Sequence, residues 1–229
     1  MKLLTGYRGF VGSRLAAGLT DFHGIDVRDG YNLISCELPK DVDLIYHLAS
    51  QSSVEASWHD PIHDSDNLKM AIRLVHKYPD TRIIYTNSSS SVDRSSPYGF
   101  SKWAVAEYLK QFHKNYVICT LPNVYGSGGR SVVDIFKGRT IVKIFGDGEQ
   151  LRDYVHVDDI VEGLKKAKDW PVGEYFLGSG IGTTLNQLAD GKVIMYEEAR
   201  KESRDSVLKN TTPPGEWKPK INILDYMKA

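Results

Sequence analysis

A chain of 229 residues fits one large domain, or one domain with a small appendage. Its 29 basic and 29 acidic residues balance, so the basic excess of a nucleic-acid partner is missing. Two cysteines, Cys36 and Cys119, are too few for a disulfide framework. Only Leu3-Leu4 follows Met1-Lys2 before Thr5-Gly6, so neither a signal peptide nor a membrane span is expected. The compatible class is a cytoplasmic enzyme or binding protein.

Short apolar runs alternate with helical patterns over about 190 residues, the signature of βαβ units around a parallel sheet. Lys2–Thr5 reads as a clipped first strand, followed by a glycine-rich turn and a helix through 11–19. Residues 24–27 read as a second strand, and 43–48 and 82–86 as further strands around a helix near 67–76. The stretch 97–113 reads as a helix, with Ser96 as N-cap, Pro97 in its first turn, and Ala104, Leu109 and Phe112 on an apolar face. Tyr116–Leu121 is the next strand. Helices at 157–167 and 184–189 flank a strand at 174–177. The tail from about Glu197, with Pro213-Pro214 and Pro219, gives no pattern that assigns it.

Gly6-x-x-Gly9-x-x-Gly12 follows the first strand directly and opens the first helix. Glycine suits a chain that turns sharply and brings its backbone up to a pyrophosphate, which a helix N-terminus then receives. The loop Gly6, Arg8, Gly9, Phe10, Val11 and Gly12 is therefore a candidate dinucleotide site, although a merely glycine-rich turn would look the same. Asp26, 20 residues after Gly6, suits the two hydroxyls of an adenosine ribose and favours NAD. Arg8 and Arg28 lie where a 2′-phosphate would sit and favour NADP; alternatively they are solvated surface arginines. The cofactor stays open between NAD and NADP.

Downstream, Ser88-Ser89-Ser90-Ser91 precedes Tyr98-x-x-x-Lys102. Four residues apart on a helix, a phenol and an ammonium share one face. They can move a proton on and off an alcohol or carbonyl, the ammonium lowering the phenol pKa from its usual value near ~10. Taken alone, the pair is a weak signal.

The order of motifs carries more weight. After the glycine loop come Val42-Asp43-Leu44-Ile45-Tyr46-His47-Leu48-Ala49, Asn67, the serine strand with Tyr98 and Lys102, and Leu121-Pro122-Asn123-Val124-Tyr125-Gly126. The segments Phe145-Gly146-Asp147-Gly148-Glu149 and Gln150-Leu151-Arg152-Asp153-Tyr154-Val155-His156-Val157-Asp158-Asp159 follow. Gly178-Ser179-Gly180 and Thr184-Leu185-Asn186 close the series. Over roughly residues 1–190 this resembles the extended short-chain dehydrogenase/reductase family, in its nucleotide-sugar epimerase/dehydratase branch.

The resemblance implies an α/β fold, a Rossmann-type doubly wound parallel sheet with a small, reduced C-terminal substrate lobe. Residues 1–125 would form the dinucleotide-binding core with the catalytic residues. Residues 126–229 would form the substrate lobe, interleaved with the last sheet elements rather than folding separately. Ser89 would be the catalytic serine, with Ser88 and Ser90 one register step away, Tyr98 the acid/base and Lys102 its partner. His47, Leu48, Ala49 and Asn67 would line the cofactor groove, Asn32 and Leu33 would face the adenine, and Asn123 and Arg152 would contact the sugar nucleotide.

The activity implied is NAD(P)-dependent epimerisation or reduction of a nucleotide-linked sugar by a cytoplasmic homodimer, with Trp103, Tyr108 and Phe112 compatible with an apolar seam on that helix. A cofactor-binding regulatory or scaffold protein of the same fold is the alternative. The acidic pair of the 4,6-dehydratases is missing, since Ser90-Ser91 follow Ser89, so elimination of water is not expected. Only 34 residues separate Gly12 from His47, and the chain stops short of the family's usual C-terminus. A pared-down second crossover and no bulky lid are expected. The histidine clusters fit no closed metal pattern, and no metal is expected; Asp158 reads as a helix cap.

Overall fold

Buried strands flanked by helices on both faces organise the computed structural model, which describes residues 1–199, 205–208, 213–215 and 217–228. Six parallel strands form the central sheet: β1 (Lys2–Thr5), β2 (Phe22–Ile25), β3 (Leu44–His47), β4 (Arg82–Ser88), β5 (Tyr116–Leu121) and β9 (Gly173–Phe176). Their order is β2-β1-β3-β4-β5-β9. The chain steps from β1 outward to β2, then crosses back to β3 on the other side of β1. The strand order therefore reverses between β1 and β3, the place where open α/β sheets bind ligands.

Residues on one strand alternate between two cores. Leu3, Ile45, Ile83, Tyr85 and Ile118 pack with Met70, Leu74, Val105 and Leu109, from the helices α3 (Pro61–Lys77) and α5 (Pro97–Phe112). Leu4, Tyr46, Ile84, Val117 and Cys119 face the other way, toward Leu15 of α1 (Phe10–Ala17) and Ile160, Val161 and Leu164 of α7 (Val157–Ala167). Burial on both faces explains why these strands read as unbroken apolar runs.

The second crossover is indeed short. One 3-10 turn, Val27–Asp29, stands where another helix would go. The second strand also ends earlier than its sequence suggests. Asp26 caps that turn by accepting from the Arg28 N–H, which pulls the chain out of the sheet at Ile25. Residues 54–59 form the unforeseen helix α2 (Val54–His59), and the serine run becomes a single helical turn, α4 (Ser90–Asp93).

The C-terminal half adds a three-stranded sheet, β10 (Gly182–Thr183), β8 (Arg152–His156) and β6 (Asn123–Tyr125), and a parallel pair, β11 (Val193–Glu197) and β7 (Ile141–Phe145). Between them lie α6 (Val132–Phe136) and α8 (Leu185–Leu188), the latter closed by a Thr184/Gln187 capping box. A third core, with Tyr125, Val133, Phe136, Val142, Ile144, Tyr154 and Leu188, binds these elements. At the start of α7 the cap is not Asp158: the His156 side chain accepts from the Asp158 N–H, 3.2 Å away.

Part of the tail that the sequence left unassigned is tied down. Trp217 is buried, donates its indole N–H to the Asp159 carbonyl at 3.1 Å, and lies over Gly163 of α7. The N–H groups of Lys220 and Ile221 both donate to the Asp159 carboxylate at 3.0 Å, and α9 (Ile223–Lys228) then joins the third core. Among the described residues no helix is long and apolar enough to cross a membrane, and no group of His, Cys, Asp and Glu could hold a metal ion.

Trp217→Ala should therefore cost ~3–5 kcal/mol of stability, because it empties a buried aromatic site and frees the strap behind it. Chemical unfolding of the purified protein measures this; a loss below ~1 kcal/mol would mean that the strap does not cover the α7 face in solution.

Candidate active site

The site starts from a contact between two strand ends. Gly6 follows β1 with φ +71°, and its N–H donates to the Ile25 carbonyl at 2.8 Å. A Cβ at Gly6 would stand 2.6 Å from the Ala49 nitrogen beyond β3. A Cβ at Gly12, on the first turns of α1, would stand 2.1 Å from the Gly6 carbonyl oxygen. Only glycine permits both approaches. Gly9 caps α1 without a side-chain acceptor, which leaves first-turn N–H groups for an anion. Glycine cradle and uncapped helix start together fit a dinucleotide pyrophosphate.

Asp26 stands beside this cradle. Its two carboxylate oxygens accept from the backbone N–H of Arg8 and of Arg28, each at 3.0 Å. Every carboxylate oxygen has a further lone pair, so acceptor capacity toward a ribose remains. The two arginine side chains are engaged with the protein. Arg8 pairs with Asp29 at 2.6 Å, and Arg28 donates to the Arg8 carbonyl.

Several expected groove residues turn inward. His47 is buried, with Nδ1 2.9 Å from the Thr5 hydroxyl, which also accepts from the Ala49 N–H at 3.2 Å. Burial first, and the nearby Lys102 second, push the His47 pKa down to about 3, so it is neutral at physiological pH. Asn67 is spent on holding the wall, accepting from the Gln51 N–H at 2.8 Å and donating to the Ser101 hydroxyl at 2.9 Å. Leu33 belongs to the core rather than to an open adenine face, and the Asn32 side chain accepts from the Ile34 N–H.

Tyr98 and Lys102 occupy the first two turns of α5, both buried. Ser96 caps that helix through the Gly99 N–H at 3.0 Å, and Gly99 itself fits against the Ser90 carbonyl. This packing holds the start of α5 against the serine turn. Ser88, the last residue of β4, is near enough to Tyr98 to oppose the rise of its pKa. Ser89, expected as the catalytic serine, follows it at the start of α4 with its N–H on the Leu121 carbonyl and makes no side-chain cap. β4 runs two residues beyond Thr86, where the sequence ends it, and so carries the chain to Ser88. Burial raises the Tyr98 pKa, with Ser88 opposing the rise and the more distant Asp64 adding to it, so the resting group is a phenol.

The Lys102 ammonium donates to the Thr86 carbonyl at 2.6 Å and lies 4.4 Å from the centre of the Tyr85 ring. Burial pulls its pKa down to about 7. Two buried groups with pKa values pushed in opposite directions, one above its usual range and one toward neutrality, are what proton-transfer sites use.

A cavity of about 610 Å³ opens in the C-terminal half. Asn123 and Arg152, both expected to meet substrate, line it, together with Arg130, Arg139 and Lys143, which the sequence did not single out. Apolar walls come from Val132, Phe136 and Leu185. Asn123 donates to the Asp153 carbonyl at 3.3 Å; the Asp153 carboxylate is buried and accepts from Ser179 and Gly180.

The fold and this arrangement define a dinucleotide-binding α/β protein with a Ser/Tyr/Lys group beside the cradle. Residues 2–175 match the NAD dependent epimerase/dehydratase family, and the chain belongs to that family. It is 31% identical to the UDP-glucose 4-epimerase of Mycolicibacterium smegmatis over 81% of this chain and 79% of that one. It is 29% identical to a UDP-2-acetamido-2,6-beta-L-arabino-hexul-4-ose reductase of Pseudomonas aeruginosa, over 73% of this chain and 49% of that one. The crystal structure of the Thermotoga maritima UDP-glucose 4-epimerase with UDP-glucose superposes with a TM-score of 0.80 at 27% identity, covering 99% of this chain and 96% of that one.

The Lys102 environment has a measurable consequence. The unfolded chain holds the Lys102 proton up to its ordinary 10.5, whereas the folded protein releases it near 7. Stability from this group is thus lowest below about pH 7 and rises through the window between the two values. The stability of wild type relative to Lys102→Met should increase with pH across that window, by on the order of 4 kcal/mol. Unfolding in denaturant at pH 6, 8 and 10 reads it; a difference that does not change with pH would reject a desolvated lysine.

Proposed function

We propose that the protein is an NAD-dependent 4-epimerase of a nucleotide-linked hexose. The observation that carries the reading is the burial of Tyr98 and Lys102 one helical turn apart on α5, with the serine turn after β4 packed against the start of that helix. The M. smegmatis relative, named as a UDP-glucose 4-epimerase, supports epimerisation; the P. aeruginosa relative keeps reduction as the second reading.

The roles follow from the geometry. Ser88 holds the reacting sugar oxygen by hydrogen bond and fixes it beside Tyr98. In its ionised form, Tyr98 takes the hydroxyl proton as that carbon becomes a ketone, and the phenol so formed returns it when the carbonyl is reduced on its other face. The Lys102 ammonium supplies positive charge one helical turn from the phenol and favours its ionised form. The dinucleotide, when bound, supplies the hydride acceptor and donor. Gly6, Gly9 and Gly12 with the start of α1 would hold its pyrophosphate, and Asp26 its adenosine ribose. The four cations Arg130, Arg139, Lys143 and Arg152 suit the diphosphate of the sugar nucleotide. Residues 1–125 would then serve the cofactor and the chemistry, and 126–229 the substrate.

Incubation with UDP-glucose and NAD should yield UDP-galactose without net reduced cofactor. Stoichiometric consumption of NADH or NADPH on a 4-keto sugar would instead favour the reductase. Tyr98→Phe and Ser88→Ala should each lower kcat on the order of 10²–10⁴-fold with dinucleotide binding retained. Ser89→Ala should have a much smaller effect, and the reverse order would return the catalytic role to Ser89.

The protein is further proposed to act as a cytoplasmic homodimer through α3 and α5. Phe100 stacks on Trp103 and Tyr108 on Phe112 along α5, while Ile62 of α3 is 79% exposed. Such an apolar strip is what an isologous helix interface covers. Light scattering should give twice the chain mass; a monomer at all concentrations would reject the seam.

A further inference from the structure

We propose that Asp29 sets the dinucleotide preference toward NAD by holding the Arg8 guanidinium away from the adenosine 2′ position. The inference rests on the dinucleotide reading of the glycine cradle. In such folds the acidic residue after the second strand meets the ribose 2′-hydroxyl, and a nearby arginine accommodates a 2′-phosphate. This chain carries both kinds of residue at that point, and the sequence alone leaves the choice open.

The structure shows how the arginines are used. Arg8 is half-exposed inside the glycine loop, yet its guanidinium is bound to the Asp29 carboxylate at 2.6 Å. The Tyr7 hydroxyl donates to the other Asp29 oxygen. Tyr7 is fixed in turn, edge-on to Phe22 and against Gly24, where a Cβ would meet its ring at 2.7 Å. Asp29 is fixed from behind by the 3-10 turn, whose N–H at Asp29 donates to the Asp26 carbonyl and which ends at Gly30 with φ +83°. Arg28 is turned onto the Arg8 carbonyl.

A 2′-phosphate arriving here would meet the Asp26 and Asp29 carboxylates, with the positive charge of Arg8 already neutralised. To be recognised, it would have to displace Asp29 from Arg8. A ribose 2′-hydroxyl needs only an acceptor, which Asp26 retains. Asp29 is thus a positioning residue: it acts through Arg8, and its removal would release a bidentate phosphate ligand.

The test is equilibrium binding of NADH and NADPH, read by nicotinamide fluorescence without any sugar substrate. A failure of the nucleotide-sugar reading leaves these affinities untouched. Wild type should bind NADH at least tenfold more tightly than NADPH. Asp29→Asn should tighten NADPH about tenfold and change NADH less than about threefold, and adding Arg8→Ala to Asp29→Asn should erase the gain. Should Asp29→Asn fail to fold, Tyr7→Phe removes the second tether and should tighten NADPH twofold or more. Equal affinities in wild type, no binding of either dinucleotide, an unchanged NADPH affinity in the foldable variant, or a gain that survives Arg8→Ala would each overturn the proposal.

Discussion

The approach of two backbones at the end of β1 is the constraint on which the rest of the molecule depends. Gly6 must pass within contact of Ala49, and Gly12 must pass against the Gly6 carbonyl, before α1 can lie on the sheet. That packing brings β1 against β3 at the point where the strand order reverses, and it leaves the start of α1 aimed across the crevice. A side chain at either glycine would wedge the helix off the sheet. The crevice, the helix N-terminus and the strand ends that carry Asp26 and Ala49 would then no longer meet. Chemistry at this site begins as a steric requirement on two residues.

Around the cradle, polar groups that resemble ligand contacts in the sequence serve as internal fasteners. Thr5 ties His47 to Ala49, and Asn67 ties the loop after β3 to Ser101 of α5. Both fasteners are buried, and a buried amide or imidazole left without a partner would cost ~1–3 kcal/mol, so their bonds are made within the protein. Asn67 of α3 bonds both the loop after β3 and Ser101 of α5, the helix that carries Tyr98 and Lys102, so the loop and the two helices are tied together. Lys102 follows the same logic at greater cost, because its charge is sustained by a single carbonyl and the face of Tyr85.

What the sequence made legible divides along physical lines. β1 and β5 were read to the residue because each is a short, mostly buried run bounded by turn residues, Gly6 after β1 and Pro122 after β5. α5 and α7 were read to within a residue because capping and apolar spacing mark them. The register of the serines was not legible: four identical side chains carry no periodicity, and only the extension of β4 past Thr86 decides that Ser88 ends the strand while Ser89 opens the turn. Short strands of the second half, such as β7 and β11, were missed because each buries only one partial face. The place of Trp217 left no mark in the sequence, since its partners, Asp159 and Gly163, lie more than fifty positions away. The Arg8–Asp29 pair left no signature either, because an ion pair between a loop and a turn depends on where the shortened crossover puts Asp29.

The same shortness bears on how the two halves work together. The loop Gly126-Ser127-Gly128-Gly129 leads from β6 into the cavity wall at Arg130, and it touches α1 on the way: Gly129 lies against Phe10, and Arg14 donates to the Ser127 carbonyl at 2.9 Å. Asp134 holds the loop through the Gly126 N–H at 3.0 Å, and Tyr226 of α9 donates to the same carboxylate at 3.2 Å. The C-terminal strap, the cavity wall and α1 therefore share one four-residue connection. Here the loop that leads to Arg130 is itself packed on α1, through Phe10 and Arg14, so the position of α1 bears directly on the cavity wall.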